Sequence, residues 1–87
     1  MAIKMSGNGK ATKDEFKYLV LEKCGVIDTG SNGWTTELRY IKWNDNEPKY
    51  DIRAWKETED GEKMGKGITL TGEQLTSLYE IIQGMMD

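Results

Sequence analysis

The chain of 87 residues has no histidine, a single cysteine (Cys24) and no apolar run approaching the ~20 residues of a membrane span. Each absence removes a class of function. Without histidine, most nucleophile–base pairs, most zinc sites and ordinary imidazole acid–base chemistry are excluded. One cysteine forbids an internal disulfide and fits a reducing compartment. The N-terminus has no apolar signal stretch, so a cytoplasmic protein is expected, with nucleoid association open. What is present is soluble in character: 31% of residues are charged and 37% belong to the apolar set. At this length there is room for one core only, and roughly 40% of the unfolded surface stays exposed after folding. A second copy of the chain is therefore a ready source of further burial.

The formal charge of −3 is unevenly placed. Residues 71–87 have no Lys or Arg and carry Glu73, Glu80 and Asp87, which account for the whole excess. The first 70 residues are neutral, with 12 bases against 12 acids. A neutral body can present a basic face if its acids point elsewhere, so a polyanionic partner is not excluded.

Residues 1–13 hold Lys4, Lys10, Lys13 and little to bury, and read as a flexible basic arm. Residues 14–87 form the single domain. Four extended segments are expected: Phe16 to Asp28 with a bulge or bend at Gly25, Trp34 to Trp43, Lys49 to about Glu57, and about Lys63 to Leu70. Turn chemistry separates them at Thr29-Gly30-Ser31-Asn32-Gly33, at Asn44 to Pro48, and at Asp60-Gly61. The period then changes. Leu75, Leu78, Tyr79, Ile82 and Met86 recur at three and four residues, the mark of an amphipathic helix. Thr71 with Gln74 forms a capping-box signature at its start. Ile81 and Met85 widen the apolar face beyond what one small sheet must cover. Leu75, Leu78, Tyr79, Ile81, Ile82 and Met85 are therefore expected to pack against a twin helix in a homodimer. The fold class is α+β, a four-stranded antiparallel meander followed by one C-terminal helix.

Catalysis finds no support. The pairs Asp45/Glu47 and Glu59/Asp60 fall in turns, where carboxylates are solvated. Gly65-Lys66-Gly67 lacks the spacing of a phosphate loop. Cys24, with no histidine or second cysteine, reads as a buried structural thiol. No cofactor or metal is expected.

The strand faces carry more information. Alternation places Tyr50, Ile52 and Ala54 on one side of the third strand and Asp51, Arg53 and Trp55 on the other. On the second strand, Leu38 and Tyr40 oppose Arg39, Ile41 and Trp43. Arg39, Trp43, Arg53 and Trp55 then share an outer face. Bases stack on aromatic planes at roughly 1–3 kcal/mol each while cations hold phosphates, so this face suits single-stranded nucleic acid. Lys23, Lys42, Lys49, Lys56 and Lys66 extend the track. A duplex reader would carry basic residues on a groove-entering helix, and this helix has none. The same composition also serves a protein interface or plain cross-strand packing, so a protein-interaction module and a single-stranded RNA binder stand as alternatives.

The segments Trp34-Thr35-Thr36-Glu37-Leu38, Trp43-Asn44, Glu47-Pro48-Lys49-Tyr50-Asp51-Ile52-Arg53 and Met64-Gly65-Lys66-Gly67-Ile68-Thr69-Leu70 resemble the bacterial YdbC-like proteins, relatives of the eukaryotic transcriptional positive cofactor four. The resemblance covers about residues 16 to 83. It implies a homodimer joined largely through the helices, with single-stranded DNA lying across the curved outer sheet faces with little sequence preference. It further implies a role in transcription regulation as a coactivator, with replication, recombination or repair as neighbouring possibilities, and contact with that machinery. By resemblance, Arg53 takes the strand-three arginine position that contacts DNA, Trp55 an aromatic position on the same face, Trp43 the aromatic ending strand two, Lys66 the basic residue before the strand-four glycine, and Lys23 a polar DNA-facing position. Arg39 is assigned by alternation. Trp34 fits the bacterial pattern but alternates in phase with Leu38, which leaves rim stacking and packing at the turn both open. The turns Asp28 to Gly33 and Asn44 to Pro48 depart from the eukaryotic relative, whose long regulatory tail is replaced by the short arm.

Overall fold

The computed structural model describes residues 17–87, so the basic arm and Phe16 lie outside the described residues. The chain forms β1 (Tyr18–Thr29), a single 3-10 turn (Ser31–Gly33), β2 (Trp34–Trp43), β3 (Lys49–Thr58), β4 (Gly61–Leu70) and α1 (Gly72–Met86). The four strands make one antiparallel sheet in sequence order, as the hairpin-length connections require. The expected meander and helix are both there, with the strand ends displaced by one or two residues.

Two turns use conformations that constrain their residues. Asn32 and Asn44 adopt positive φ (62° and 52°), a region asparagine enters more readily than most residues other than glycine. The Asn44 side-chain oxygen accepts from the Lys17 N–H at 2.9 Å, and its own N–H donates to the Lys17 carbonyl at 2.8 Å. That asparagine therefore pins the start of β1 to the β2–β3 turn. The β3–β4 hairpin turns at Gly61, whose φ of 109° is open to glycine alone without strain.

The strand faces alternate as the sequence pattern requires, and register fixes which residues meet. Arg39 lies opposite Asp51, Glu37 opposite Arg53, Thr35 opposite Trp55 and Tyr18 opposite Trp43. β1 is irregular: its ladder to β2 skips Leu21, Cys24 and Ile27. Bulges bend and twist a strand, and here the expected break at Gly25 is one of three. A further shift lies between Arg53 and Trp55 in the β3–β4 ladder. The bends wrap the sheet around one face. Tyr18 of β1 reaches Trp55 of β3, with ring centroids 5.9 Å apart, and Arg39 of β2 reaches Glu62 of β4. Each contact steps across an intervening strand.

α1 starts with the anticipated capping box. Thr71 Oγ1 accepts from the Gln74 N–H, and the Gln74 side chain accepts from the Thr71 N–H. The helix lies over the other sheet face, where Leu75, Leu78, Tyr79 and Ile82 border a cavity of about 480 Å³ with Ile27, Leu38 and Ile52. It covers that face thinly. Among the described residues no helical side chain is fully buried, and Ile81 and Met85 are 61% and 75% exposed.

One expectation is overturned. Cys24 is exposed, not a buried structural thiol. The ladder passes it by at the bulge on an edge strand, so neither sheet face encloses it. Partial burial, and then the charge of Glu22, push its thiol above its ordinary value, leaving it a weak nucleophile.

Candidate nucleic-acid interface

The face opposite α1 brings Arg39, Trp43, Arg53 and Trp55 together, as alternation requires, but it is the more buried face rather than an open outer one. Arg39 and Asp51 are 0% exposed, Ile41 0% and Trp55 1%. The cause is the wrapping of the sheet, which folds these side chains over one another.

At the centre the Arg39 guanidinium carbon lies over the Trp55 ring, 3.9 Å from its centroid. Stacking of this kind suits the planar, weakly hydrated guanidinium. Two carboxylates hold it there. Arg39 Nε donates to Glu37 Oε1 at 2.8 Å, and Nη1 and Nη2 donate to the two oxygens of Glu62 at 3.1 and 2.6 Å. A charge removed from water must be paired and hydrogen-bonded, and this one is. Burial works to lower the Arg39 pKa, but the bonds to Glu62 and Glu37 overcome it and the net direction is up. For Glu37, burial works upward, and the hydrogen bonds from Thr35 (2.6 Å) and Arg39 more than reverse it, so the carboxyl lies below its ordinary range. Tyr18 packs against both Trp43 and Trp55. Burial and then Glu62 raise its phenol, with Arg39 opposing. Among the described residues the buried indole Nε1 of Trp55 has no hydrogen-bond partner.

Beside this lies a second compensated arginine. Arg53 donates from Nε and Nη2 to Asp51 Oδ1 and Oδ2 at 2.7 and 2.8 Å, and from Nη1 to the Gly65 carbonyl at 3.2 Å. Thr69 Oγ1 also donates to Asp51 Oδ2. The guanidinium stands 5.1 Å from the Trp43 ring centroid. Gly67 makes this possible: a Cβ there would run into the Arg53 Cβ and the Ile52 carbonyl, so only glycine lets β4 approach so closely. Unlike Arg39, Arg53 and Trp43 are only half-buried.

The lysines divide. Lys23 is exposed and faces this site, 4.0 Å from Glu62. Lys49 is exposed and pairs with Ile41 in register, which places it on the same face. Lys66 is exposed within the β4 irregularity. Lys42 alternates onto the helix-covered side and donates to the Asn44 carbonyl, so it does not join the others. Lys56 is likewise on that side, 6.0 Å from the Trp34 ring. Trp34 is half-buried, and an added Cβ on Gly65 would meet it at 3.4 Å, so it packs under the sheet rather than joining the tryptophans opposite. Sequence reasoning missed Glu37, Asp51 and Glu62 as parts of the site. Glu37 and Asp51 were legible in principle, each two residues from an arginine on the same strand face. Glu62 was not, because it reaches Arg39 only through the curl of the sheet.

A site of indoles and guanidiniums with lysines about it can hold bases and phosphates. Among the described residues no group of three or more metal-ligating side chains is positioned to hold an ion, and no helix is long and apolar enough to cross a membrane. Residues 31–81 match the family model for Transcriptional Coactivator p15 (PC4). The chain belongs to the PC4 family. That family binds single-stranded DNA and is not enzymatic, and its model spans β2 through most of α1, including Arg39, Trp43, Arg53 and Trp55. The chain is also 43% identical over 77 residues, 88% of each sequence, to an uncharacterized protein of Treponema pallidum (strain Nichols).

Proposed function

We propose that this chain is a homodimeric single-stranded-DNA-binding protein with little sequence preference, acting in transcription regulation. The observation that carries the reading is the juxtaposition of two arginines and two tryptophans on one wrapped sheet face of a PC4-family chain. Trp43 and Arg53 are its accessible members, for base stacking and phosphate contact. Lys23, Lys49 and Lys66 are exposed and need break few bonds to meet a phosphate. Trp55 supports the site from beneath. Self-association is supported by the helix-covered face, where Leu19, Ile27, Ile68, Tyr79, Ile81 and Met85 are all more than half exposed. Exposed apolar surface of that extent marks an interaction site.

Titration of labelled oligo-dT at several salt concentrations tests the reading. Wild type is expected to bind with an affinity that falls as salt rises. The Lys23→Gln/Lys49→Gln/Lys66→Gln variant should lose about 2 from the log–log salt slope, at ~0.7 per phosphate neutralised. An unchanged slope would remove these lysines from the interface. Salt-independent or absent binding by wild type would sink the function. Single-stranded RNA and duplex DNA serve as competitors, and equal competition by RNA would argue for RNA as the ligand.

A further inference from the structure

We infer that Glu62 occupies a phosphate subsite on Arg39, and that binding of a nucleic-acid phosphate displaces it. The inference rests on the single-stranded-DNA reading and names the part of the site that reading leaves closed. Four observations carry it.

The first is geometric. Glu62 presents both carboxylate oxygens to Nη1 and Nη2 of Arg39 at 3.1 and 2.6 Å. This fork-to-fork arrangement is the one a phosphate makes with a guanidinium. An acid in that position holds the donors in the geometry an incoming phosphate needs.

The second is access. The Arg39 side chain is 1% exposed, while Glu62 is 24% exposed. Glu62 lies one residue beyond the Gly61 turn, near the tip of the β3–β4 hairpin. Glu62 therefore stands between Arg39 and solvent, and rotation of its carboxylate is the move that would open the guanidinium on that side. Glu37 is different. It lies on β2 beside Arg39, is held by Thr35 as well, and is only 13% exposed. It remains as the permanent counter-charge that keeps Arg39 oriented.

The third is where the displaced acid goes. Expelling a carboxylate from its partner is costly unless it finds water or another cation. The Lys23 ammonium, itself 65% exposed, already stands 4.0 Å from Glu62 Oε2. The exchange therefore swaps partners: phosphate takes Arg39, and Glu62 turns out to solvent on the side of Lys23, whose ammonium eases the move and stays free to face the nucleic-acid strand.

The fourth is that the Arg39 pocket is short of one acceptor. The Trp55 indole N–H, on the ring beneath Arg39, is buried with no partner among the described residues. A buried unpaired donor is costly to keep, and an arriving ligand rich in oxygen is the kind of group that could relieve it.

Glu62 thus acts as a resident competitor. It stabilises Arg39 when DNA is absent and lowers affinity by the same interaction. Glu62→Gln is expected to bind oligo-dT about 3- to 10-fold more tightly than wild type at low salt. Its log–log salt slope should resemble that of wild type, because the same phosphate reaches Arg39 in both. Glu62→Asp, whose shorter carboxylate cannot keep both oxygens on the guanidinium, should fall between the two. Circular dichroism and thermal unfolding identify a variant that fails to fold, in which case Glu62→Asp decides. Weaker or equal binding by a folded Glu62→Gln would overturn the phosphate subsite while leaving the single-stranded-DNA function intact. Failure of wild type to bind oligonucleotide in a salt-dependent way would overturn both.

Discussion

On the sheet face that carries Arg39 and Trp55, the charged groups find their partners within a single chain. On the face that carries Leu38 and Ile52, the helix leaves Tyr79, Ile81 and Met85 largely in water. One face pairs its buried charges in one copy, and the other leaves much of its apolar surface uncovered. The difference follows from what each face must satisfy. Ionic and aromatic groups are satisfied by a few well-placed neighbours, and the wrapped strands bring those together: Glu37, Glu62, Asp51 and Thr69. Apolar groups are satisfied only by area, and one 15-residue helix does not cover four strands of 10 to 12 residues. The chain is thereby divided into a side fitted for a polar ligand and a side that calls for more apolar surface.

The contrast can be broken most sharply at Asp51. It is fully buried and accepts from Arg53 twice and from Thr69. Asp51→Ala leaves the half-buried Arg53 guanidinium without its counter-charge. Removing one partner of a buried pair typically costs about 3–5 kcal/mol, so urea unfolding of Asp51→Ala should show a loss of that order. A loss below about 1 kcal/mol would mean that the face is held together by its aromatic stacking and not by its ion pairs.

The contrast also governs what could be read in advance. Strands, helix, cap and the membership of each face were legible, because alternation, turn residues and the switch to a 3–4 period are local signals. Trp34 to Trp43 and Thr71 with Gln74 are the clearest cases. That the Arg–Trp face closes on itself was not legible. Curvature comes from three skipped residues in β1 and one shift in β4, and only Gly25 and the paired glycines Gly65 and Gly67 hinted at them. A sequence places Arg39 and Trp55 on one side of a sheet. It does not say that the side is concave enough for the first to lie on the second, nor that Glu62, 23 residues away, completes the pair.

On the apolar face the matching experiment is Ile81→Asp. In an isolated chain this side chain is 61% exposed, so the change should be nearly silent. If the helix packs against a second copy, the substitution forfeits the burial of an isoleucine, about 2 kcal/mol per protomer, and adds a charge to an apolar seam. Sedimentation should then show wild type at twice the chain mass and Ile81→Asp shifted toward a single chain at micromolar concentration. The unfolding temperature of wild type alone should rise with protein concentration. Equal mass for both proteins would leave the two faces differing in exposure but not in assembly.

The smallest expected effect returns to the charged face and uses pH. Glu37 is held below the ordinary value of 4.5: burial raises it, but the bonds from Thr35 and Arg39 outweigh that. A carboxylate depressed in the folded state adds stability that is complete above the unfolded pKa and is lost as pH falls through the folded one. Wild type should therefore lose stability faster than Glu37→Gln as pH drops from 4.5, and at neutral pH the gap between them should be constant. Arg39, raised above a value already far from neutrality, contributes nothing to this window. Parallel curves for Glu37→Gln and wild type would mean that Glu62 alone neutralises Arg39. The guanidinium would then have one resident acid to lose, and Glu62→Gln would leave it buried and uncompensated, turning the expected gain in DNA affinity into a loss of the fold.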